Sequence, residues 1–122
     1  MYYITVKGGF SSAHNLRNYR GNCENLHGHN WKIEVSLRGR TLDKVGMLVD
    51  FTEVKSWLRT LIDEQLDHRN LNDLPPFQTL NPSAENIAKY LYDGVKARCR
   101  EGVECARVVV FETDKCSATY EE

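Results

Sequence analysis

Three of the four histidines fall into one short constellation, His14 followed by His27-Gly28-His29, and Cys23 sits just upstream of the pair. Alternate side chains of an extended segment share a face, so His27 and His29 point the same way past a glycine that adds no bulk. Parity extends the argument. His27, His29, Trp31, Ile33, Val35 and Leu37 lie on one apolar face, while Lys32, Glu34, Ser36 and Arg38 lie on the other. In the preceding segment Tyr2, Ile4, Val6, Phe10 and His14 share one parity, with Gly8-Gly9 the place where a bulge would shift it. If the two segments pair as a hairpin, His14 arrives opposite His27 and His29. Three neutral imidazoles with no fourth protein ligand describe a catalytic zinc site with an open position, whereas structural zinc is closed by four ligands. Imidazole also suits copper, nickel and ferrous iron, so ligand type ranks zinc first without closing the choice. A cation nearby favours thiolate over thiol, which would make Cys23 a competent acid or base near neutral pH.

Three further acidic positions bear on chemistry. In Asp67-His68 the carboxylate can orient the imidazole or raise its basicity, although an ordinary polar helix end would look the same. Glu112 follows an apolar run and shares parity with Val108 and Val110. A carboxylate drawn into such a place needs partners, and a ligand with two parallel N–H donors would supply a bidentate pair; a strand-end glutamate reaching water is the plain alternative. Glu85 stands in the first turn of a predicted helix, where acidic residues complement the helix dipole without any ligand.

The elements that must position these groups read in the order strand, strand, helix, helix, strand, strand. After the first two strands, residues 41–46 form a turn and Met47-Leu48-Val49 a short extended piece. Asp50 with Glu53 resembles a capping box, and Val54, Trp57, Leu58, Leu61, Ile62 and Leu66 follow the helical period to an end near Asp67-His68. All three prolines lie between Asn72 and Pro82. Ser83 is the expected N-cap of a second helix with the stripe Ile87, Leu91, Gly94, Val95 and the Arg98 stem, closed by Gly102. Val108-Val109-Val110-Phe111 is apolar on both faces, the mark of a strand covered on two sides, and Ser117 to Tyr120 reads as a last strand. The fold class is therefore α+β, an antiparallel four-stranded sheet with both helices on its apolar face. Open sheet edges need pairing or protection, so a ring-like oligomer is expected.

The 122 residues suffice for a core in one domain, 1–122. A net charge of −1 gives no bulk attraction to nucleic acid. No signal-peptide core or membrane-length apolar run is evident, so a cytoplasmic address is expected. The cysteines at 23, 99, 105 and 116 have no zinc-ribbon spacing and read as free thiols; Cys99, Cys105 and Cys116 are expected to pack in helix or strand positions without chemistry.

Taken together, Phe10-Ser11-Ser12-Ala13-His14, Cys23-Glu24-Asn25-Leu26-His27-Gly28-His29-Asn30, Leu66-Asp67-His68-Arg69-Asn70-Leu71-Asn72, Asn81-Pro82-Ser83-Ala84-Glu85-Asn86 and Glu112-Thr113 resemble the 6-pyruvoyl-tetrahydropterin synthase family. Within it the chain most resembles the bacterial 6-carboxy-5,6,7,8-tetrahydropterin synthases of queuosine biosynthesis. The resemblance runs in order over essentially the whole chain. It implies zinc (Zn2+) on His14, His27 and His29, proton transfer by Cys23, an acid-base pair of Asp67 and His68, a pterin anchor at Glu112 and a further pterin contact at Glu85. It also implies the tunnelling fold (T-fold), whose trimers close an oligomeric barrel and stack as a homohexamer with sites between subunits. The implied substrate is 7,8-dihydroneopterin triphosphate, converted to 6-carboxytetrahydropterin with loss of acetaldehyde and triphosphate. Arg17, Arg20, Lys32 and Arg69 are unranked candidates for the triphosphate.

Relatives serving folate synthesis resemble a Glu-x-x-His-Gly-His pattern without the cysteine and cleave the dihydroneopterin side chain, whereas this chain has both Cys23 and Glu24. Glu24 is either a solvent-facing loop residue or the support of that second activity, and a 6-pyruvoyl product is a third outcome. A non-catalytic metal-binding module lacks its fourth ligand, and an RNA-associated module lacks its charge.

Overall fold

The computed structural model describes residues 1–21 and 24–122. Four strands, β1 (Tyr2–His14), β2 (His27–Gly39), β3 (Val103–Thr113) and β4 (Cys116–Tyr120), form one antiparallel sheet in sequence order. Helices α1 (Phe51–Leu58) and α2 (Ala84–Lys96) lie between β2 and β3 in the chain, which is the predicted order of elements. The core is assembled from Val6, Phe10, Trp31, Ile33, Val35, Leu37, Val108 and Val110 of the sheet and Val54, Leu58, Ile87, Leu91 and Val95 of the helices. Thr5, Lys7 and Lys32 on the opposite face are exposed, as alternation requires. Ser36 departs from that pattern: it is buried and shares a 2.8 Å hydroxyl hydrogen bond with Thr5 across the strands.

Pairing of β1 with β2 runs without interruption from Tyr2 opposite Gly39 to His14 opposite His27. No bulge forms at Gly8-Gly9. Gly9 is needed for a different reason: a Cβ there would stand 2.8 Å from the Trp31 carbonyl oxygen. Two irregularities fall in β3 instead: Ser36 pairs with Arg107 and Leu37 with Cys105, leaving Ala106 as an extra residue against β2, and Phe111 pairs with Ser117 and Thr113 with Cys116, leaving Glu112 as one against β4.

Several boundaries differ from expectation. Met47, Leu48 and Val49 make no strand; Leu48 and Val49 are buried from an irregular segment. Asp43 organises this turn by accepting from the N–H groups of Val45 and Met47, both at 2.9 Å. Asp50 does cap α1, accepting from Thr52 N–H at 2.9 Å, but Glu53 lies 4.0 Å from Arg100 rather than completing a box. The helical period continues past α1 through a π-helical turn, Arg59–Asp63, in which Glu64 N–H reaches back to the Arg59 carbonyl. The wider turn lets Leu61, Ile62 and Leu66 all face the core. Ser83 caps α2 by accepting from Asn86 N–H. That helix ends at Lys96, and Gly102, at φ 87°, turns the chain into β3. β3 starts earlier than Val108, and within the apolar run 108–111 Val108 and Val110 are buried while Val109 and Phe111 are half-buried. The strand is thus covered by the helices on one side rather than on two. Among the described residues no helix is long and apolar enough to cross a membrane.

Candidate active site

The register that sets His14 against His27 sets Ser12 against His29. Three imidazoles converge at the end of the β1–β2 pair. Their ring centroids lie 4.8 Å (His14 to His27), 5.2 Å (His14 to His29) and 4.9 Å (His27 to His29) apart, with the rings close to perpendicular. His14 is buried, and its Nδ1–H donates to the Pro82 carbonyl at 2.7 Å. His27 Nδ1–H donates likewise to the Asn25 carbonyl at 2.8 Å. A carbonyl can only accept, so Nδ1 of each of these rings carries a proton, and Nε2 is the nitrogen left to serve as a ligand. Trp31 forms the floor, 4.9 Å from His14 and 5.2 Å from His29, and its indole N–H donates to the Ser12 carbonyl.

The Glu112 carboxylate joins this group, and the four donor atoms lie within 4.8 Å of one another. This changes one expectation: the three histidines have a fourth protein donor beside them. Glu112 Oε1 stands 3.1 Å from His29 Nε2 without the alignment of a hydrogen bond, and among the described residues Nε2 of His14 and of His29 are buried polar atoms with no partner. Orphaned, inward-facing imidazole nitrogens suit a metal ion. Burial holds the His29 pKa below its ordinary value and so favours the neutral ligand form, an effect the Glu112 charge offsets only in part.

Asp67 and His68 are likewise brought together. His68 Nδ1 lies 2.8 Å from Asp67 Oδ2 as an ion pair, while Asp67 Oδ1 accepts from Ser11 N–H at 2.9 Å. The Ser11 N–H, and after it His68, hold the Asp67 carboxyl below the usual carboxylate range. His68 sits at φ 55° in the left-handed region with its ring 81% exposed. The segment carrying the pair is stitched to the edge of β1: His68 N–H donates to Ser11 O, Ala13 N–H to Arg69 O, and Ala13 and Asn70 form a parallel bridge. Ser12 adds to the seam by donating its hydroxyl to the Leu66 carbonyl and accepting from Arg69 N–H.

Cys23 lies outside the described residues. Glu85 is exposed in the first turn of α2. Of the four cations, Arg17 donates to the carbonyls of Asn72 and Phe77, Arg69 to the Glu64 carbonyl, and Lys32 pairs with Asp114 at 2.6 Å. Arg20 lies over the Tyr19 ring. Cys99 is half-buried just beyond α2 rather than within an element, Cys105 is buried in β3 with its thiol pushed up to about 12 by desolvation, and Cys116 is exposed at the start of β4. The sequence assigns no individual role to Pro82, Asn25, Ser11 or Ser12, although all four fall in the segments that carry the family resemblance and Ser12 shares the parity of His14.

A profile of the 6-pyruvoyl tetrahydropterin synthase family matches residues 3–122. The chain belongs to this family of pterin synthases. It is 34% identical over 131 residues to the 6-pyruvoyl tetrahydrobiopterin synthase of Drosophila melanogaster, covering 97% of this chain and 78% of that protein. It is also 34% identical over 124 residues to the 6-carboxy-5,6,7,8-tetrahydropterin synthase of Aquifex aeolicus, covering 82% and 76%. The structure of Caenorhabditis elegans 6-pyruvoyl tetrahydropterin synthase superposes with a TM-score of 0.82 at 29% identity, over 100% of this chain and 97% of that one. The sheet with two helices on one face is the T-fold of these enzymes.

Proposed function

We propose that this member of the family is a zinc-dependent 6-carboxy-5,6,7,8-tetrahydropterin synthase, converting 7,8-dihydroneopterin triphosphate to 6-carboxytetrahydropterin, acetaldehyde and triphosphate for queuosine biosynthesis. It works in the cytoplasm as a homohexamer. The observation that carries the proposal is the convergence of three imidazoles with two orphaned Nε2 atoms, in a chain whose Cys23 precedes the pair by four residues.

His14, His27 and His29 hold the zinc. When bound, zinc supplies a Lewis acid that makes carbon-bound protons beside the substrate's side-chain oxygens easier to remove. Cys23 and His68 carry protons on opposite sides of the substrate. Asp67 fixes the His68 tautomer with Nδ1 protonated, so Nε2 is the atom that takes and returns a proton. Glu112 binds paired N–H donors of the pterin edge, and its nearness to His29 supports a ring bound beside the imidazoles. Glu85 is a further pterin contact.

The 6-pyruvoyl product is the competing reading, favoured by the names of several relatives. Incubation with dihydroneopterin triphosphate and identification of the pterin by mass spectrometry decides it. The 6-carboxy compound with acetaldehyde is expected; a 6-pyruvoyl product retaining all side-chain carbons overturns the assignment. Release of the side chain from dihydroneopterin itself would add the folate-type activity.

A further inference from the structure

Two of the three imidazoles are oriented by main-chain carbonyls, and each carbonyl follows a residue that grips the same short stretch of chain. Pro82 O accepts from His14 Nδ1–H, and Asn25 O accepts from His27 Nδ1–H. Immediately before Pro82, Asn81 grips Arg17 at two points, with Oδ1 accepting from Arg17 N–H at 2.9 Å and Nδ2 donating to Arg17 O at 3.0 Å. Immediately before Asn25, Glu24 grips Leu16: Leu16 N–H donates to Glu24 Oε1 and Glu24 N–H to Leu16 O, both at 3.0 Å. The half-buried Glu24 is therefore not a solvent-facing loop residue. A third grip has no such sequel. Asn72 holds Asn15 through its N–H and its carbonyl, both at 2.9 Å, but the next carbonyl, that of Asp73, accepts from Gln78 rather than from an imidazole.

Leu16 and Arg17 follow closely on His14 in the chain, so one two-residue rail fixes both carbonyls relative to the strand end that carries one of the rings. Pro82 needs that support, because proline has no N–H with which to anchor its own peptide. The other side of the tie runs to α2, where Asn86 Nδ2 donates to Asn81 O at 2.8 Å and Ser83 caps the helix. We propose that Asn81 and Glu24 are positioning residues for the metal ligands, Asn81 acting on His14 through the Pro82 carbonyl and Glu24 on His27 through the Asn25 carbonyl. The inference rests on the reading of these histidines as zinc ligands. A ring held with its proton on Nδ1 presents Nε2 in one direction, and disturbing such an outer partner typically weakens metal binding by about 10–100-fold. The two grips make different chemical demands. Asn81 must both accept and donate, whereas Glu24 needs only an acceptor at the end of two methylenes, which glutamine also offers and aspartate does not.

The test compares Asn81→Asp, Glu24→Asp, Glu24→Gln and Asn72→Asp in the full chain. Zinc affinity is read by competition with a chromophoric chelator, and the tautomer of each ring in the zinc-free protein by long-range proton–nitrogen NMR at mildly alkaline pH. In Asn81→Asp one carboxylate oxygen still accepts from Arg17 N–H, while the other faces Arg17 O and repels it. That variant should lose zinc affinity by about tenfold or more and show mixed tautomers at His14 alone, and Glu24→Asp should do the same at His27 alone. Glu24→Gln should keep wild-type affinity and tautomers, and Asn72→Asp should lose thermal stability without either change. Wild-type zinc affinity in both Asn81→Asp and Glu24→Asp overturns the proposal. So does an equal loss of affinity in Asn72→Asp, because the grips would then act only by holding the loops together. Should Asn81→Asp fail to fold, Asn86→Ala, which releases Asn81 O from α2, takes its place with the same expected change at His14. If the wild-type protein binds no zinc, the metal assignment falls while the tautomers still judge the ties.

Discussion

Ser11 donates its backbone N–H to Oδ1 of Asp67 at 2.9 Å, so the carboxylate that orients His68 is itself oriented by the strand that ends in His14. The N–H groups of Ser11 and His68 select the ionised carboxylate. Asparagine can still accept from Ser11, but its amide presents N–H to His68 Nδ1 and favours the wrong tautomer. Asp67→Asn should lower turnover by about 10²-fold, the usual scale for a general acid-base group, with the metal retained. Stability offers a second readout. The folded pKa of Asp67 is depressed, so its contribution is fully present above the unfolded value and is lost as pH falls through the folded one. Thermal melts from neutral to acid pH should show a smaller acid-side loss in Asp67→Asn than in the wild type.

The metal group separates into ligands and anchor. His14→Ala, His27→Ala and His29→Ala should each strip zinc, read by elemental analysis of purified protein. Glu112→Gln should keep stoichiometric zinc but weaken a pterin analogue by roughly tenfold to a hundredfold, the range for a hydrogen bond to a charged group. Loss of zinc from Glu112→Gln would make Glu112 a ligand, which its place among the imidazoles allows.

Cys23→Ala should retain its metal and assembly and lose 6-carboxytetrahydropterin formation by about 10²-fold or more. Full synthesis in that variant would leave the thiol without a role in proton transfer.

Two glycines make a matched stability test. At Gly9 an added Cβ meets the Trp31 carbonyl oxygen at 2.8 Å, and backbone inside a sheet has nowhere to go. Gly9→Ala should cost about 1–3 kcal/mol, as overpacking does. At Gly94 the Cβ meets Leu61 Cδ2 at 2.7 Å, a side chain that can change rotamer, and alanine gains helix propensity in return. Gly94→Ala should therefore be the milder of the two in chemical denaturation.

Much of this architecture follows from periodicity. The parity of β1 and β2 carried the histidine convergence, because a side-chain period of two survives any loop length that lets the strands pair. The apolar stripe of α2 was legible for the same reason, and Ser83 marked its start. What was not legible has no period. The π-helical turn leaves the apolar spacing of a helix nearly intact, so Leu61, Ile62 and Leu66 read as one regular helix. The grips of Asn72 and Asn81 are single long-range contacts from loop asparagines, which in a sequence look like turn formers. Leu48 and Val49 read as a strand because burial and extension leave the same apolar signature. The sequence left Glu112 open between an inward and a water-facing position, and its meeting with His29 depends on the pairing of β2 with β3, which no local pattern encodes.

The seam between residues 66–70 and β1 also limits what the sheet can accept from outside. Ser11 O and Ala13 N–H, which point away from β2, are already taken by His68 and Arg69. By alternation the outward-pointing backbone groups still on offer are those of Tyr3, Thr5, Lys7 and Gly9. An added strand could zip along the first two-thirds of β1 and would then meet a stop. The edge thus works as a ruler: it dictates how far an incoming chain can run and leaves the imidazole end of the strand beyond its reach.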